Sequence, residues 1–249
     1  MADLVLIHGA GDSAAVWERQ GEYFSKQHRV LPIDLPGHGA RTSEAGMDRH
    51  EKNAAEVCRI MDQQGVSRAV IAGHSMGGAV AMILALDHPE RVQGLVLVAT
   101  GARMKMRPEF LEQARQTAEA HGNQIPSATH IIAVEQMVHP SMPPAVIQWV
   151  RERTGQASAQ ATYADFLANN NFDVMARLPE LRTPALVVGG SEDRMAPQKF
   201  AEFLAKGIAG ARLEILTPSG HYPMVEQEEG FNRMLEEFLS AAAPASAGA

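Results

Sequence analysis

Ala69-Val70-Ile71-Ala72-Gly73-His74-Ser75-Met76-Gly77-Gly78-Ala79-Val80-Ala81-Met82-Ile83-Leu84-Ala85-Leu86 is the stretch that decides how this chain is read. Its first four residues form a short apolar run suited to a buried strand. Residues 78–86 form an apolar run suited to a helix packed on a sheet. Between them, Gly73-His74-Ser75-Met76-Gly77 fits G-x-S-x-G, a tight strand-to-helix turn that leaves the serine hydroxyl exposed. The glycines matter because strand and helix approach too closely at such a turn for side chains. The pentapeptide alone is a common pattern, so its meaning depends on partners elsewhere.

Outward from this turn, strand-like runs at residues 4–7, 30–33, 69–72, 95–98, 185–188 and 213–216 alternate with helix-like runs at 14–26, 48–64, 77–87, 198–205 and 226–241. Most of the strand runs are continuously apolar, as expected of a parallel sheet covered by helices on both faces. The rhythm stops between Gly101 and Leu181, where four helical patterns (108–121, 126–138, 143–153 and 158–169) follow one another without a strand. The expected organisation is therefore an α/β core over residues 1–100 and 182–240, interrupted by a helical insertion over 101–181 of the size of a lid. The Ala-, Pro-, Ser- and Gly-rich tail at 241–249 is expected to be flexible.

Composition narrows the function classes. A 45% hydrophobic content over 249 residues is that of a globular protein with a substantial core. A formal charge of −7 without long charge runs speaks against nucleic acid or an anionic membrane as partner. The single cysteine, Cys58, excludes an internal disulfide and fits core packing in a reducing compartment. The N-terminus lacks a basic leader, and His74 and Ser75 break the longest apolar stretch, so a cytoplasmic protein is expected. Nothing in the sequence specifies an oligomeric state.

A serine nucleophile needs a base, and the base needs an orienting carboxylate. The loop after the strand at 185–188 carries Gly190-Ser191-Glu192-Asp193, and the loop after 213–216 carries Gly220-His221-Tyr222. Ser75, an acid and His221 thus all follow strand ends, where open parallel sheets gather ligands. Asp193 is preferred to Glu192 as the acid because a short side chain suits a rigid buried contact. The order Ser, Asp, His along the chain is that of α/β-hydrolases.

With His8-Gly9-Ala10-Gly11 after the first strand, Asp34-Leu35-Pro36-Gly37-His38-Gly39 after the second and His88-Pro89-Glu90-Arg91-Val92 after the serine's helix, the chain resembles the capped α/β-hydrolases of the esterase and enol-lactonase kind. The resemblance spans residues 3 to 240. It implies Ser75 as nucleophile, His221 as general acid/base, Asp193 as orienting acid, and an oxyanion hole from the backbone N–H groups of Ala10 and Met76. It also implies a small ester or lactone as substrate, with no cofactor and no metal. One departure is visible: the first strand begins at residue 3 or 4. We therefore expect about six strands, all parallel, without the antiparallel hairpin with which members of the fold often begin. Some plant esterases and hydroxynitrile lyases share that short start, although such lyases carry other residues at the positions of Ala10 and Met76. Haloalkane dehalogenases and epoxide hydrolases place Asp where Ser75 stands.

Alternatives stay open at this level. Other Ser-His-Asp chemistries (C–C hydrolase, thioesterase, perhydrolase, lyase) and a ligand receptor share the same residues. Gly9-Ala10-Gly11-Asp12-Ser13-Ala14 also fits G-x-G-x-x-A, with Asp34 near the position of a ribose-binding acid in a dinucleotide-binding dehydrogenase; Asp34 is otherwise read as a residue that fixes a loop. Asp165, Asp173 and Glu226 are read as solvated or capping groups. His8, His38 and His74 lack metal-ligand spacing, and His74 is read as a hydrogen-bonded structural residue. Arg103, Lys105 and Arg107 read as a solvated basic edge, with attraction of an anionic substrate as the alternative. In the insertion, Met104, Met106, Met137, Met142 and Met175, with Trp149, Tyr163, Phe166 and Phe172, either line an acyl pocket or pack the insertion on the core. Gly9, Trp149, Met142 and Phe166 are the candidate substrate-binding residues.

Overall fold

A computed structural model describes residues 2–125 and 132–242. Strand β1 (Asp3–Ile7) is followed by a 3-10 turn and helix α1 (Glu18–Phe24), then β2 (Arg29–Ile33), α2 (His50–Gln63), β3 (Ala69–His74), α3 (Met76–Asp87) and β4 (Val92–Val98). The insertion comprises α4 (Pro108–His121), α5 (Val134–Met137), α6 (Pro144–Arg153) and α7 (Ala159–Asn171). The chain then returns to β5 (Ala185–Gly190), α8 (Gln198–Gly207), β6 (Arg212–Leu216), α9 (Pro223–Glu226) and α10 (Glu228–Ala242). The six strands form one sheet of order β2-β1-β3-β4-β5-β6, and every pairing is parallel. Of the helical pattern expected over 126–138, residues 126–131 lie outside the described residues, and over 132–138 the structure has a single helical turn, α5; residues 243–249 of the tail also lie outside them.

Period-2 alternation divides the strands between two apolar layers. Val5, Ile7, Ile71, Leu95, Leu97 and Val187 face α2, α3 and α8, in a layer that also takes Cys58. Leu4, Leu6, Val70, Val96, Val98 and Val188 face the other way, onto Trp17, Phe24, Phe231 and Leu235. Truncating a fully buried aromatic such as Trp17 or Phe231 to alanine costs about 3–5 kcal/mol, the lost burial plus the cavity. With helices on both faces, the central strands have no polar alternation to show. Among the described residues no helix is long and apolar enough to cross a membrane.

The strand order reverses between β1 and β3, so the loops leaving their carboxyl ends diverge to opposite sides and open a crevice there. The insertion closes on itself at its neck: Val174 N–H donates to the Ala102 carbonyl at 2.8 Å, and Arg103 and Asp173 form an isolated antiparallel bridge. Helix α7 packs on the loop after β2. Its Ala161 lies so close that a Cβ at Gly37 would approach its methyl to 2.3 Å, and Ser158 N–H donates to Gly37 O at 2.9 Å.

Candidate active site

Ser75 sits between β3 and α3 with φ 51° and ψ −114°, a conformation rarely adopted by L residues. The turn is enforced from both sides. A Cβ at Gly73 would lie 2.1 Å from the Gly77 carbonyl oxygen, and one at Gly77 would lie 2.3 Å from the Ile7 carbonyl oxygen. Ser75 N–H donates to Val98 O at 2.8 Å, tying the turn to the end of β4. Strain of this kind, of order 1–3 kcal/mol, persists only where the surroundings over-determine it.

His221 arrives on the loop between β6 and α9, and Asp193 on the loop between β5 and α8. The imidazole Nδ1 lies 2.8 Å from Asp193 Oδ2, and both residues are buried. The other carboxylate oxygen, Oδ1, accepts from the N–H groups of Met195 (2.7 Å) and Ala196 (2.9 Å), which fixes its orientation. Burial works against an imidazolium at His221, yet the charge and hydrogen bond of Asp193, helped by Asp12 and Glu226, outweigh it and raise the pKa above its ordinary value. Glu192 instead points outward, half-exposed, toward Ser219 N–H (3.3 Å) and His139 (3.5 Å). Asp193, and not its neighbour, meets the histidine.

A cavity of about 1030 Å³ opens above these strand ends, bordered by Ser75 and His221 and by Gly9, Ala10, Gly11 and Asp12 of the loop after β1. Neither Ala10 nor Met76 has a protein acceptor for its backbone N–H among the described residues. Met76 opens α3, ahead of the first intrahelical acceptor, and its side chain enters the core.

The loop after β1 is held from two sides. His8 accepts from Leu35 N–H through Nε2 (3.2 Å) and donates from Nδ1 to Gly9 O (2.8 Å); it is neutral, its pKa held well down by burial and by the charge of His38. His38 faces Pro36 O (3.0 Å) and Asp165 Oδ2 (2.8 Å), two acceptors that demand a proton on each ring nitrogen. Burial opposes that charge, but Asp165 more than compensates and the pKa of His38 is raised. The same Asp165 oxygen accepts from Gly11 N–H at 2.9 Å. Asp165 is therefore a buried tie between α7 and the loop, contrary to its expected solvated role, because the alanine-rich face of α7 packs flush against the core. Glu226 caps backbone as expected, accepting from the N–H groups of Tyr222, Gly220 and His139. Asp173 is exposed and 3.5 Å from Arg103. Asp34 accepts from Ala14 N–H (2.7 Å) and Ala40 N–H (3.0 Å), which fixes two loops.

Three cavity-bordering side chains, Asp12, Arg194 and Lys199, escaped the sequence reading. Asp12 is buried with Tyr222 Oη 3.3 Å from its Oδ2 and, among the described residues, no cation in hydrogen-bond range; burial pushes its pKa up to about 7. Nearby, His74 donates from Nε2 to His221 O (2.8 Å), and its buried Nδ1 has no hydrogen-bond partner among the described residues, lying 4.0 Å from Asp12. Arg194 and Lys199 join Arg103, Lys105 and Arg107 around the opening. A lone Asp or Arg in a loop carries no periodicity, and Lys199 at the start of α8 reads as any exposed helix lysine, so no local pattern announces them.

Of the candidate substrate-binding residues, Gly9 and Phe166 border the cavity, as do Met104, Met106, Met137 and Met175. Trp149 and Met142 do not. Helix α6 packs against α9 and the 3-10 turn at Ala14–Trp17, and Trp149 on it and Met142 just ahead of it join the layer on that face of the sheet. There Trp149 lies under the guanidinium groups of Arg19 (4.7 Å) and Arg153 (5.3 Å). Phe172 packs with the opposite layer and Tyr163 is absent from the cavity wall.

Comparison with known proteins adds the following. The alpha/beta hydrolase family profile matches residues 4–234. A 2-hydroxy-6-oxononadienedioate/2-hydroxy-6-oxononatrienedioate hydrolase of Burkholderia vietnamiensis is 31% identical, over 95% of this chain and 86% of that protein. A pimeloyl-acyl-carrier-protein methyl ester esterase of Vibrio vulnificus is 30% identical, over 95% of this chain and 93% of its own. Among solved structures, the enol-lactonase of Burkholderia xenovorans superposes with a TM-score of 0.85 at 26% identity, covering 96% of this chain and 91% of that one.

Proposed function

The chain belongs to the alpha/beta hydrolase family, and on that premise we propose that it hydrolyses a small carboxylic ester or lactone through an acyl-enzyme on Ser75. The observation that carries the proposal is the 2.8 Å contact between His221 Nδ1 and Asp193 Oδ2, beside a strained serine that borders the same cavity. A hydrogen-bonded, buried carboxylate keeps the proton on Nδ1 and leaves Nε2 free to act as base.

In this reading His221 Nε2 takes the Ser75 hydroxyl proton as Oγ attacks the carbonyl carbon. The negative charge that develops on the carbonyl oxygen is held by the Ala10 and Met76 N–H groups, which are positioned before reaction. His221 then gives its proton to the leaving alkoxide as the C–O bond breaks. In the second half it takes a proton from water, whose oxygen attacks the acyl carbon, and returns that proton to Ser75 Oγ. Residues 101–181 act as the cap whose side chains choose the acyl group.

The test is labelling with a fluorophosphonate together with turnover of p-nitrophenyl acetate and butyrate. Ser75→Ala is expected to abolish labelling and to lower kcat by about three orders of magnitude or more, with the melting temperature kept. Turnover by Ser75→Ala near that of the parent would refute the assignment. A C–C hydrolase reading draws support from the Burkholderia relative, which is named for a dienedioate; hydrolysis of such a substrate, with simple esters untouched, would replace the ester reading with it.

A further inference from the structure

The charges around the cavity run against those of the whole molecule. The chain carries a formal −7, yet five cations border the opening: Arg103, Lys105 and Arg107 where the chain leaves β4, and Arg194 and Lys199 just beyond Asp193. The one carboxyl group bordering the cavity among the described residues is Asp12, buried in the loop after β1.

Little of this positive charge is neutralised. Arg103 lies 3.5 Å from Asp173, and Arg107 3.5 Å from Glu109, both in exposed pairs that water screens. Lys105 donates to a neutral acceptor, the Asn170 carbonyl. Arg194 and Lys199 have no carboxylate within ion-pair distance among the described residues. Two segments about ninety residues apart thus deliver cations to one mouth, three of them (Lys105, Arg194 and Lys199) without a carboxylate partner among the described residues, which isolated solvated lysines and arginines do not require. The same cavity wall carries the apolar side chains of Met104, Met106, Phe110, Phe166 and Phe200. Low-dielectric walls focus the field of the rim into the opening.

We propose that this rim is an anion subsite, selecting esters whose acyl chain ends in a carboxylate: the chain lies along the methionine and phenylalanine wall, its carbonyl at Ser75 and its charged end at Lys105, Arg194 and Lys199. The inference rests on the ester-hydrolase reading and adds a substrate class to it. It also carries a length requirement. A carboxylate close to the scissile carbonyl stays inside, beside the developing oxyanion and Asp12, and is disfavoured; one at the end of a longer chain reaches the rim.

The experiment compares mono-p-nitrophenyl adipate, suberate and sebacate with p-nitrophenyl hexanoate, octanoate and decanoate, using nitrophenolate release and the purified chain. All three diacid esters are long enough to avoid rapid self-cyclisation to an anhydride. The readout is the ratio of kcat/KM for the charged ester to that for its neutral partner. In the parent this ratio is expected to rise along the series until the carboxylate reaches the rim, and to fall as NaCl goes from 20 to 500 mM. Arg194→Gln with Lys199→Gln lowers the ratio about tenfold at low salt, and Arg194→Glu with Lys199→Glu lowers it further. Both side chains are exposed, and the melting temperature of each variant is measured alongside. A ratio that is unchanged in both variants and flat in salt overturns the subsite while leaving the esterase intact. If it is the hydrolase reading that fails, p-nitrophenyl hexanoate itself is turned over no faster by the parent than by Ser75→Ala.

Discussion

Replacing Asp165 by alanine tests how the insertion holds the loop after β1. Asp165 and His38 are each about 1% exposed and lie 2.8 Å apart, and Asp165 also accepts from Gly11 N–H at 2.9 Å. Removing one partner of such a pair costs about 3–5 kcal/mol when a charge is stranded. Here the stranded group can escape by losing a proton, so the cost depends on pH. In the parent the pKa of His38 is raised in the folded state, so the pair's stabilisation is complete below the unfolded value of about 6.5 and is lost as pH rises through the folded one. In the variant burial, the largest influence on His38, is opposed only by the backbone contacts of Pro36 and Leu35, so its folded pKa is expected to drop below the unfolded one and acid now destabilises. The difference between the two proteins is therefore about 3–5 kcal/mol at pH 5.5. At pH 8.5 it shrinks to about 1–3 kcal/mol, the cost of an unsatisfied Gly11 N–H. Guanidinium unfolding of both proteins at the two pH values measures this directly. With Gly11 released, the neighbouring Ala10 N–H loses its fixed aim, and kcat for p-nitrophenyl butyrate falls about tenfold with KM little changed. A loss below about 1 kcal/mol at both pH values, or a larger loss at pH 8.5 than at 5.5, refutes a charged His38 tied to Asp165.

Three further outcomes are expected. Ser75→Gly relieves the φ 51° backbone and raises stability by about 1 kcal/mol while removing turnover, a pairing checked by urea unfolding and esterase assay; destabilisation would mean that the turn is not strained. Asp12 has a pKa of about 7, raised by burial, and its ionisation places negative charge near Ala10, so kcat/KM falls as pH climbs through that value. Because Asp12 also helps to raise the pKa of His221, Asp12→Asn abolishes that alkaline fall and moves the acid limb to lower pH; an alkaline limb that survives the substitution refutes the role. Asp193→Asn lowers kcat by about 10³–10⁴-fold through loss of the useful tautomer, whereas Glu192→Gln, half-exposed and away from His221, changes it less than about threefold.

The core was readable because parallel strands covered on both faces are apolar without interruption, and all six strand runs emerge within three residues of their observed ends. Three of the four helical patterns of the insertion, at 108–121, 143–153 and 158–169, coincide with α4, α6 and α7 for the same reason of period. Periodicity says which residues are apolar on one face; it does not say what that face meets. Trp149 lies on α6 and Met142 just ahead of it, where pocket residues of an amphipathic helix would lie, yet α6 docks on the Ala14–Trp17 turn and both fall in the layer on that face, away from the cavity. Asp165 looked like an ordinary polar residue of a helix surface, because only the three-dimensional approach of α7 to Gly37 and Gly11 makes that surface an interior. Arg103, Lys105 and Arg107 read as a solvated edge and are indeed exposed, but Arg194 and Lys199, remote in sequence, turn that edge into one side of an opening.

The insertion does more than border the cavity, because it is bonded to both loops on which the proposed chemistry depends. From α7, Asp165 fixes Gly11 beside Ala10. From the other end, the Met137 carbonyl accepts from His221 N–H at 2.6 Å, and it lies so close to Gly220 that a Cβ there would come within 2.3 Å of it. Glu226 ties the same region again, through His139 N–H on the insertion and Gly220 and Tyr222 N–H on the histidine loop. A change in the insertion that alters which acyl chain fits therefore also moves the donor side or the base side of the site. In such an arrangement selectivity and turnover are not independently adjustable. Substitutions on the free rim, at Arg194 or Lys199, can change charge preference without passing through either tie, whereas substitutions around Met137 or Asp165 carry their effect into kcat.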